Sequence, residues 1–104
     1  MGRLPAAIAQ LQIAVRLWPD APDPHTNLGT ALAQAGRLPE AADEFEAALR
    51  MDPNDALVQR NLGQALSGIP GRLPDALSHL EEADRLRPDP ELEQAIAQVR
   101  AALQ

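Results

Sequence analysis

The stretch that decides the fold runs from Asn27 to Asp55 and reads NLGTALAQAGRLPEAADEFEAALRMDPND. It contains two segments in which apolar residues recur three and four positions apart, separated by Gly36 and closed by Pro53. That spacing is typical of amphipathic helices that bury one face, and Gly and Pro are common helix-ending residues. The stretch therefore predicts two helices joined by a short turn.

The same pattern recurs along the chain. A Gly-Arg-Leu-Pro tetrapeptide begins at positions 2, 36 and 71, and a helix-ending proline stands at positions 19, 53 and 88. Both landmarks repeat after 34 and then 35 residues. A period of this size in helix-rich sequence indicates stacked helical hairpins that bury their apolar faces against their neighbours. We expect helices over residues 5–17, 23–35, 39–51, 56–67, 74–86 and 91–103.

The recurring residues resemble the tetratricopeptide repeat, whose signature is W-x2-L-G-x2-Y, then A-x3-F, then P. The central copy reads His25-x2-Leu28-Gly29-x2-Leu32, Ala41-x3-Phe45 and Pro53, and the next reads Gln59-x2-Leu62-Gly63-x2-Leu66, Ala76-x3-Leu80 and Pro88. The opening segment supplies only Ala7-x3-Leu11 and Pro19. His25, Gln59 and the two leucines depart from the aromatic positions of the signature, at some cost in packing volume.

The resemblance implies an all-α, right-handed solenoid of about two and a half repeats plus a C-terminal capping helix. We expect one domain over residues 1–104, made of a half repeat (1–21), a repeat (22–55), a repeat with one extra turn residue (56–90) and a capping helix (91–104). Gly29 and Gly63 fall inside helices, where Gly costs about 1 kcal/mol relative to Ala. The resemblance implies that each packs closely against a small residue of the next helix, here Ala41 and Ala76.

Composition excludes several classes of function. The net charge is −6, all nine basic residues are Arg, and there is no Cys. An acidic chain lacks the basic face of nucleic-acid modules. Without Lys or Cys it has no phosphate-loop lysine, Schiff base, thiolate metal site or disulfide. Gln10 and Gln12 interrupt the apolar run near the start, which favours a structural helix over a signal peptide. We expect a soluble, cytoplasmic protein with no membrane insertion.

Catalysis is not expected, because the candidate side chains do not form a nucleophile and base in reach of each other. Ser78 and His79 are adjacent on one helix and point about 100° apart. His79 and Glu82 could share a metal, but two ligands without a second pair make no site. We therefore expect no enzyme activity, no cofactor and no metal, and we expect both histidines at the surface.

Binding is favoured. In the family that the chain resembles, the first helices of successive hairpins line a concave groove. The corresponding stripe holds mostly uncharged hydrogen-bonding groups: Asp23, Thr26, Asn27, Thr30 and Gln34 in one repeat, and Leu57, Arg60, Asn61 and Gln64 in the next. Asn27 and Asn61 form a ladder that resembles the one in the repeats of O-linked N-acetylglucosamine transferase. The carboxylate clamp of chaperone-binding members looks absent, because Thr26, Leu92 and Ile96 stand at the basic positions.

These features predict a protein–protein interaction module that binds a peptide or partner protein. The alternatives are a non-catalytic repeat fragment of a larger enzyme or secretion or assembly machine, and a self-assembling scaffold. The acidic strip Glu40, Asp43, Glu44 and Glu46 is expected on the convex side as a solvated face.

The N-terminal helix predicts self-association. Between Arg3 and Arg16 it carries no charge, and a helix that is apolar nearly all round is normally buried. We expect a homodimer or a swapped assembly through Ile8, Leu11 and Ile13; the alternative is a monomer from which an upstream repeat has been severed. Trp18 is expected to pack partly at the hairpin junction.

Overall fold

The structure is a computed structural model that describes residues 3–104; Met1 and Gly2, which open the expected half repeat, lie outside it. Within that range the chain forms six helices and no strand: α1 (Arg3–Leu17), α2 (Pro22–Gln34), α3 (Leu38–Met51), α4 (Ala56–Ser67), α5 (Leu73–Leu86) and α6 (Pro90–Ala102). The predicted helix count is confirmed, with boundaries displaced by at most two residues.

The helix ends follow from local chemistry. Gly36 and Gly71 adopt positive φ values of 78° and 81°, the left-handed conformation that a Gly at the end of a helix or turn supplies without steric cost. The Asp55 carboxylate accepts a hydrogen bond from the Val58 backbone N–H at 3.2 Å and caps α4. Pro22 opens α2, one residue before the predicted start, where its missing N–H would have no helical partner.

The helices stack as hairpins along one direction. Each helix packs against the next in sequence, and α2 also touches α4. The result is elongated, with extents of 41 × 27 × 22 Å. The side-by-side placement of α2 and α4 creates a surface shared by the two helices, called the concave face below.

The hairpins close through glycine. A Cβ atom built on Gly29 would lie 2.7 Å from the Phe45 ring, and one built on Gly63 would lie 2.6 Å from the Leu80 side chain. The predicted close approach is therefore present, but its partner is the large side chain of the next helix. Ala41 and Ala76 are fully buried, and the Ala76 carbonyl oxygen would lie 3.2 Å from a Cβ on Gly63.

The two end helices differ in burial. In α1 only Ile8 is buried, and Trp18, which was expected to pack partly at the hairpin junction, is 58% exposed. In α6 Leu92, Ile96 and Val99 are buried in a cluster with Leu80 and Ala83 of α5, whereas Leu103, after the end of the helix, is exposed. No helix within residues 3–104 is long and apolar enough to cross a membrane.

Gly63→Ala tests the closure of the second hairpin. The added Cβ would overlap Leu80, and overpacking costs about 1–3 kcal/mol, against a helix-propensity gain of about 1 kcal/mol. The difference is a net loss of up to about 2 kcal/mol in the free energy of unfolding, measured by urea denaturation. In a Leu80→Ala background the same substitution should be neutral or stabilising. An equal loss in both backgrounds would show that the Gly63–Leu80 contact does not set the helix spacing.

Candidate functional site

A cavity of about 320 Å³ opens on the concave face between α2 and α4. Its lining residues are Thr30, Ala33, Gln34, Leu38, Phe45, Asn61, Gln64 and Ala65. The apolar members form its floor, with Leu38 and Phe45 contributed by α3. Four residues of the predicted groove therefore meet at one cavity, and no charged residue is among those that line it.

The polar side chains that line this cavity differ in whether they already form hydrogen bonds within the protein. The Thr30 hydroxyl donates to the Thr26 carbonyl oxygen at 3.0 Å, which leaves it acceptor capacity only. The side-chain amides of Gln34, Asn61 and Gln64 make no hydrogen bond to another group within residues 3–104. Gln34 and Gln64 are exposed and Asn61 is half-buried. Each amide therefore has both donors and acceptors ready for a bound molecule.

Arg60 and Leu57 lie at a second cavity of about 270 Å³, between α4 and α6. The Arg60 guanidinium forms ion pairs with Asp89 at 3.2 Å and with Glu91 at 3.5 Å. Arg60 thus bridges two helices, and a ligand would have to compete with these carboxylates for it. Leu57 is exposed at the rim.

The remaining groove candidates lie nearer the N-terminus of α2. Asp23 and Asn27 are exposed, and Thr26 is half-buried with its hydroxyl donating to the Pro22 carbonyl oxygen at 3.2 Å. None of the three is among the residues that line the cavity between α2 and α4. Leu92 and Ile96 of the last helix, which were compared with the basic positions of the carboxylate clamp, are 2% and 5% exposed and face the core rather than the groove.

A buried polar contact ties each hairpin to the loop before it. His25 is 8% exposed; its Nδ1 lies 2.8 Å from Glu44 Oε1, and its Nε2–H donates to the Pro19 carbonyl oxygen at 2.9 Å. Both ring nitrogens therefore lie within hydrogen-bond distance of an oxygen, one on the next helix and one in the preceding loop. The expectation of a surface His25 is therefore wrong.

The next repeat makes the same contact with different residues. The Gln59 side-chain N–H donates to the Pro53 carbonyl oxygen at 3.2 Å, and its Oε1 accepts from His79 Nδ1–H at 2.7 Å. Gln59 stands 34 residues after His25, and His79 stands 35 residues after Glu44. The pairs His25–Glu44 and Gln59–His79, each with its proline carbonyl, are called the loop latches below.

The acidic strip of α3 is only partly a solvated face. Glu40 pairs with Arg37, Asp43 is exposed, and Glu44 belongs to the first loop latch. The pKa of Glu40 is lowered, chiefly by its hydrogen bond from Arg37. Among residues 3–104, no three His, Asp or Glu side chains are grouped to hold a metal ion.

Sequence reasoning missed the floor of the cavity. Leu38, Phe45 and Ala65 were assigned no role in the groove, although Leu38 recurs in the Gly-Arg-Leu-Pro motif. The recurrence of this leucine could have indicated a packing role. A Cβ atom built on Gly68, at the end of α4, would lie 2.5 Å from Leu38 Cδ1. Leu38 therefore packs closely on the end of α4 and reaches the cavity from there.

A stack of helical hairpins with an open face between its first helices defines an α-helical repeat protein. The tetratricopeptide-repeat family model matches residues 1–56 and again residues 26–91, so the chain belongs to the tetratricopeptide-repeat family. A search among curated proteins gave no match.

Solved structures share this fold. The first tetratricopeptide-repeat domain of Spaghetti (RPAP3), bound to the HSP90 peptide SRMEEVD, is 19% identical with a TM-score of 0.91, over 98% of this chain and 81% of that one. The TPR2B domain of yeast Sti1, in complex with an Hsp70 peptide (pHsp70), is 19% identical with a TM-score of 0.85, over 97% of this chain and 86% of that one. The O-GlcNAc transferase of Thermobaculum terrenum is 24% identical with a TM-score of 0.80, over 94% of this chain but 19% of that one.

The second loop latch predicts a pH dependence. Burial lowers the pKa of His79 below its ordinary 6.5, and the carboxylates of Glu46 and Asp75 oppose that shift only in part. Because the folded pKa is lowered, the contribution of neutral His79 to stability is complete above the unfolded pKa of about 6.5 and is lost as the pH falls through the folded pKa. An NMR titration should give His79 a midpoint below 6.5.

His79→Gln supplies the control for that prediction. The variant should lose less unfolding free energy than the wild type when the pH is lowered from neutral into the acid range. A midpoint above the ordinary value, or an equal loss in both proteins, would contradict the assignment.

Proposed function

We propose that this chain is a protein-interaction module that binds an extended peptide, or an extended segment of a partner protein, on its concave face. The observation that carries the proposal is the cavity between α2 and α4, where the amides of Gln34, Asn61 and Gln64 surround an apolar floor. A side-chain amide offers a donor and an acceptor together, which matches the backbone of an extended peptide. The floor accepts an uncharged side chain, since a charged group there would be desolvated without a counter-ion.

The comparisons support this proposal through two neighbours that carry peptides on the same fold, the Spaghetti domain with its HSP90 peptide and the Sti1 domain with its Hsp70 peptide. At 19% identity the likeness concerns the fold. Family members are in general binding modules without catalysis, and we propose the same here, with no cofactor. The absence of Cys means that folding needs no oxidising compartment, which favours a cytoplasmic location.

A second arrangement would use the same face inside a larger protein. The chain spans 59% of the MamA chain and 19% of the O-GlcNAc transferase chain to which it is similar. A non-catalytic repeat segment of a larger enzyme or assembly machine would therefore present the same cavity, and its ligand would be a substrate segment or a partner.

We also propose that the chain pairs with a second copy through α1. Ala7 is exposed and Ala14 is half-buried, no charged residue lies between Arg3 and Arg16, and an uncharged side of a helix this open favours a partner. Of the three residues expected at that interface, Ile8 is buried in the chain's own core and Leu11 is half-buried. Ile8 therefore serves the fold. Ile13, two positions after Leu11, lies on the far side of α1 from it, so the proposal rests on Leu11 and on the side of α1 to which Leu11 belongs.

Asn61→Ala and Gln64→Ala test the concave face. A random dodecapeptide library displayed on phage would be selected against the wild type, and the strongest peptide titrated into each variant. We expect each substitution to weaken binding by about 0.5–1.5 kcal/mol, the net value of one hydrogen bond. Asp43→Ala, an exposed change on α3, should bind like the wild type. An equal loss from Asp43→Ala, or a selection that enriches no peptide, would overturn the proposal.

A further inference from the structure

One three-residue motif occurs at equivalent repeat positions in α1, α3 and α5, but a neighbouring helix buries it only in α3 and α5. It reads Ala-x3-Leu or Phe-x2-Ala and comprises Ala41, Phe45 and Ala48 in α3, Ala76, Leu80 and Ala83 in α5, and Ala7, Leu11 and Ala14 in α1. The copies in α3 and α5 are each at most 1% exposed. In α1 the first Ala is exposed, and the Leu and second Ala are half-buried.

The difference follows from the neighbouring helices. The first helix of each hairpin, α2 or α4, packs against the motif of the helix that follows it and brings a Gly against the large central residue. Within residues 3–104 no helix plays this part for α1. The open side of α1 therefore has the pattern that elsewhere in this chain binds a helix with a small residue opposite the large one.

We propose that the α1 helix of a second copy covers this side, antiparallel and related by a two-fold axis that passes between Leu11 and Ala14. This inference rests on the self-association proposed above and assigns its geometry. It sets Leu11 against the partner subunit's Ala14, and Trp18 against the partner subunit's Ala7. Large residues then meet small ones at each level, as interdigitated helices require. Trp18 continues the helix, because its N–H donates to the Ala14 carbonyl oxygen at 2.9 Å.

The other free helix, α6, does not fit the same side. Asp55 and Asp89 cap α4 and α6 at equivalent positions, so Glu93, Ala97 and Arg100 of α6 correspond to Gln59, Gly63 and Leu66 of α4. Those α6 residues are exposed, and Arg100 forms an ion pair with Glu81. Docking this face on the apolar side of α1 would bury Glu93 without a partner and would desolvate the Arg100–Glu81 ion pair, and both are costly.

Charge also selects α1. Each copy carries a net charge of −6, so two copies repel over most of their surfaces. Between Arg3 and Arg16 α1 has no charged residue. The helix thus offers a contact that buries no charge and sets no like charges opposite each other along its middle turns.

A matched pair of variants tests the geometry. Ala7→Glu places a carboxylate opposite the partner subunit's Trp18, whereas Ala9→Glu places it two residues away, at the position that carries the exposed Asp43 in the next repeat. Both alanines are exposed, both changes add one negative charge, and Glu is a good helix former. Circular dichroism should show that both variants keep the wild-type helix content.

Sedimentation velocity and the emission of Trp18, the only Trp, supply the readouts. The wild type and Ala9→Glu should form dimers whose emission shifts to the red on dilution, as Trp18 becomes exposed to water. Ala7→Glu should dissociate at least about tenfold more readily, since it buries an unpaired charge, and its emission should not change on dilution.

Each other outcome overturns a stated part of the account. Equal dimerisation of both variants would refute this geometry and leave self-association standing. A wild type that stays monomeric at high micromolar concentration would refute both, without bearing on peptide binding at the concave face.

Discussion

The contact on which the structure depends is the one between a helical glycine and a large side chain of the following helix. Gly29 with Phe45, and Gly63 with Leu80, lie so close that one added methyl group would overlap the neighbour in each hairpin. The glycines reduce the helix propensity of α2 and α4, and the burial of Phe45 and Leu80 to 1% offsets that cost. Because both hairpins close in the same way, α2 and α4 come to lie side by side.

The loop latches add a second, polar constraint of the same period. In both repeats a buried side chain near the start of the first helix donates to the carbonyl oxygen of the proline in the preceding loop. The second partner differs, since a carboxylate faces His25 and an imidazole faces Gln59. A buried donor or acceptor left unpaired is costly. Each loop latch therefore requires a second side chain that can hydrogen-bond to the buried one. This side chain is Glu44 in the first repeat and His79 in the second.

Much of the fold could be predicted from the sequence because its signals are local and repeated. The period of Gly-Arg-Leu-Pro and of the helix-ending prolines predicts the number and order of the helices. Gly29 and Gly63, which lie within helices, indicate close contacts with a neighbouring helix. The identity of those contacts could not be read off, because whether Ala41 or Phe45 meets Gly29 depends on how the two helices are rotated. The partners of His25 and Arg60 depend in the same way on residues 19 and 29 positions away.

The candidate site was predictable to about the same depth. The spacing of polar residues on the first helices identified Thr30, Gln34, Asn61 and Gln64, which do share a cavity. The spacing could not show that Arg60 lies outside this cavity, paired with carboxylates in α6 and at its N-terminus. It also could not show that α3 contributes apolar residues to the cavity. The spacing of residues on one helix predicts the direction in which their side chains point. It does not predict which side chains of a third helix pack against them.

The two surfaces of the protein therefore have different physical characters. Between α2 and α4 lies an uncharged cavity with uncommitted amides, suited to a backbone in extended form, whereas α1 presents an uncharged apolar side suited to a helix. The most direct test of the concave face is a backbone amide shift map of the ¹⁵N-labelled protein with a bound peptide. The account predicts that the largest shifts cluster in residues 30–34 of α2 and 61–65 of α4. A cluster confined to the exposed residues of α3 and α5 would contradict it.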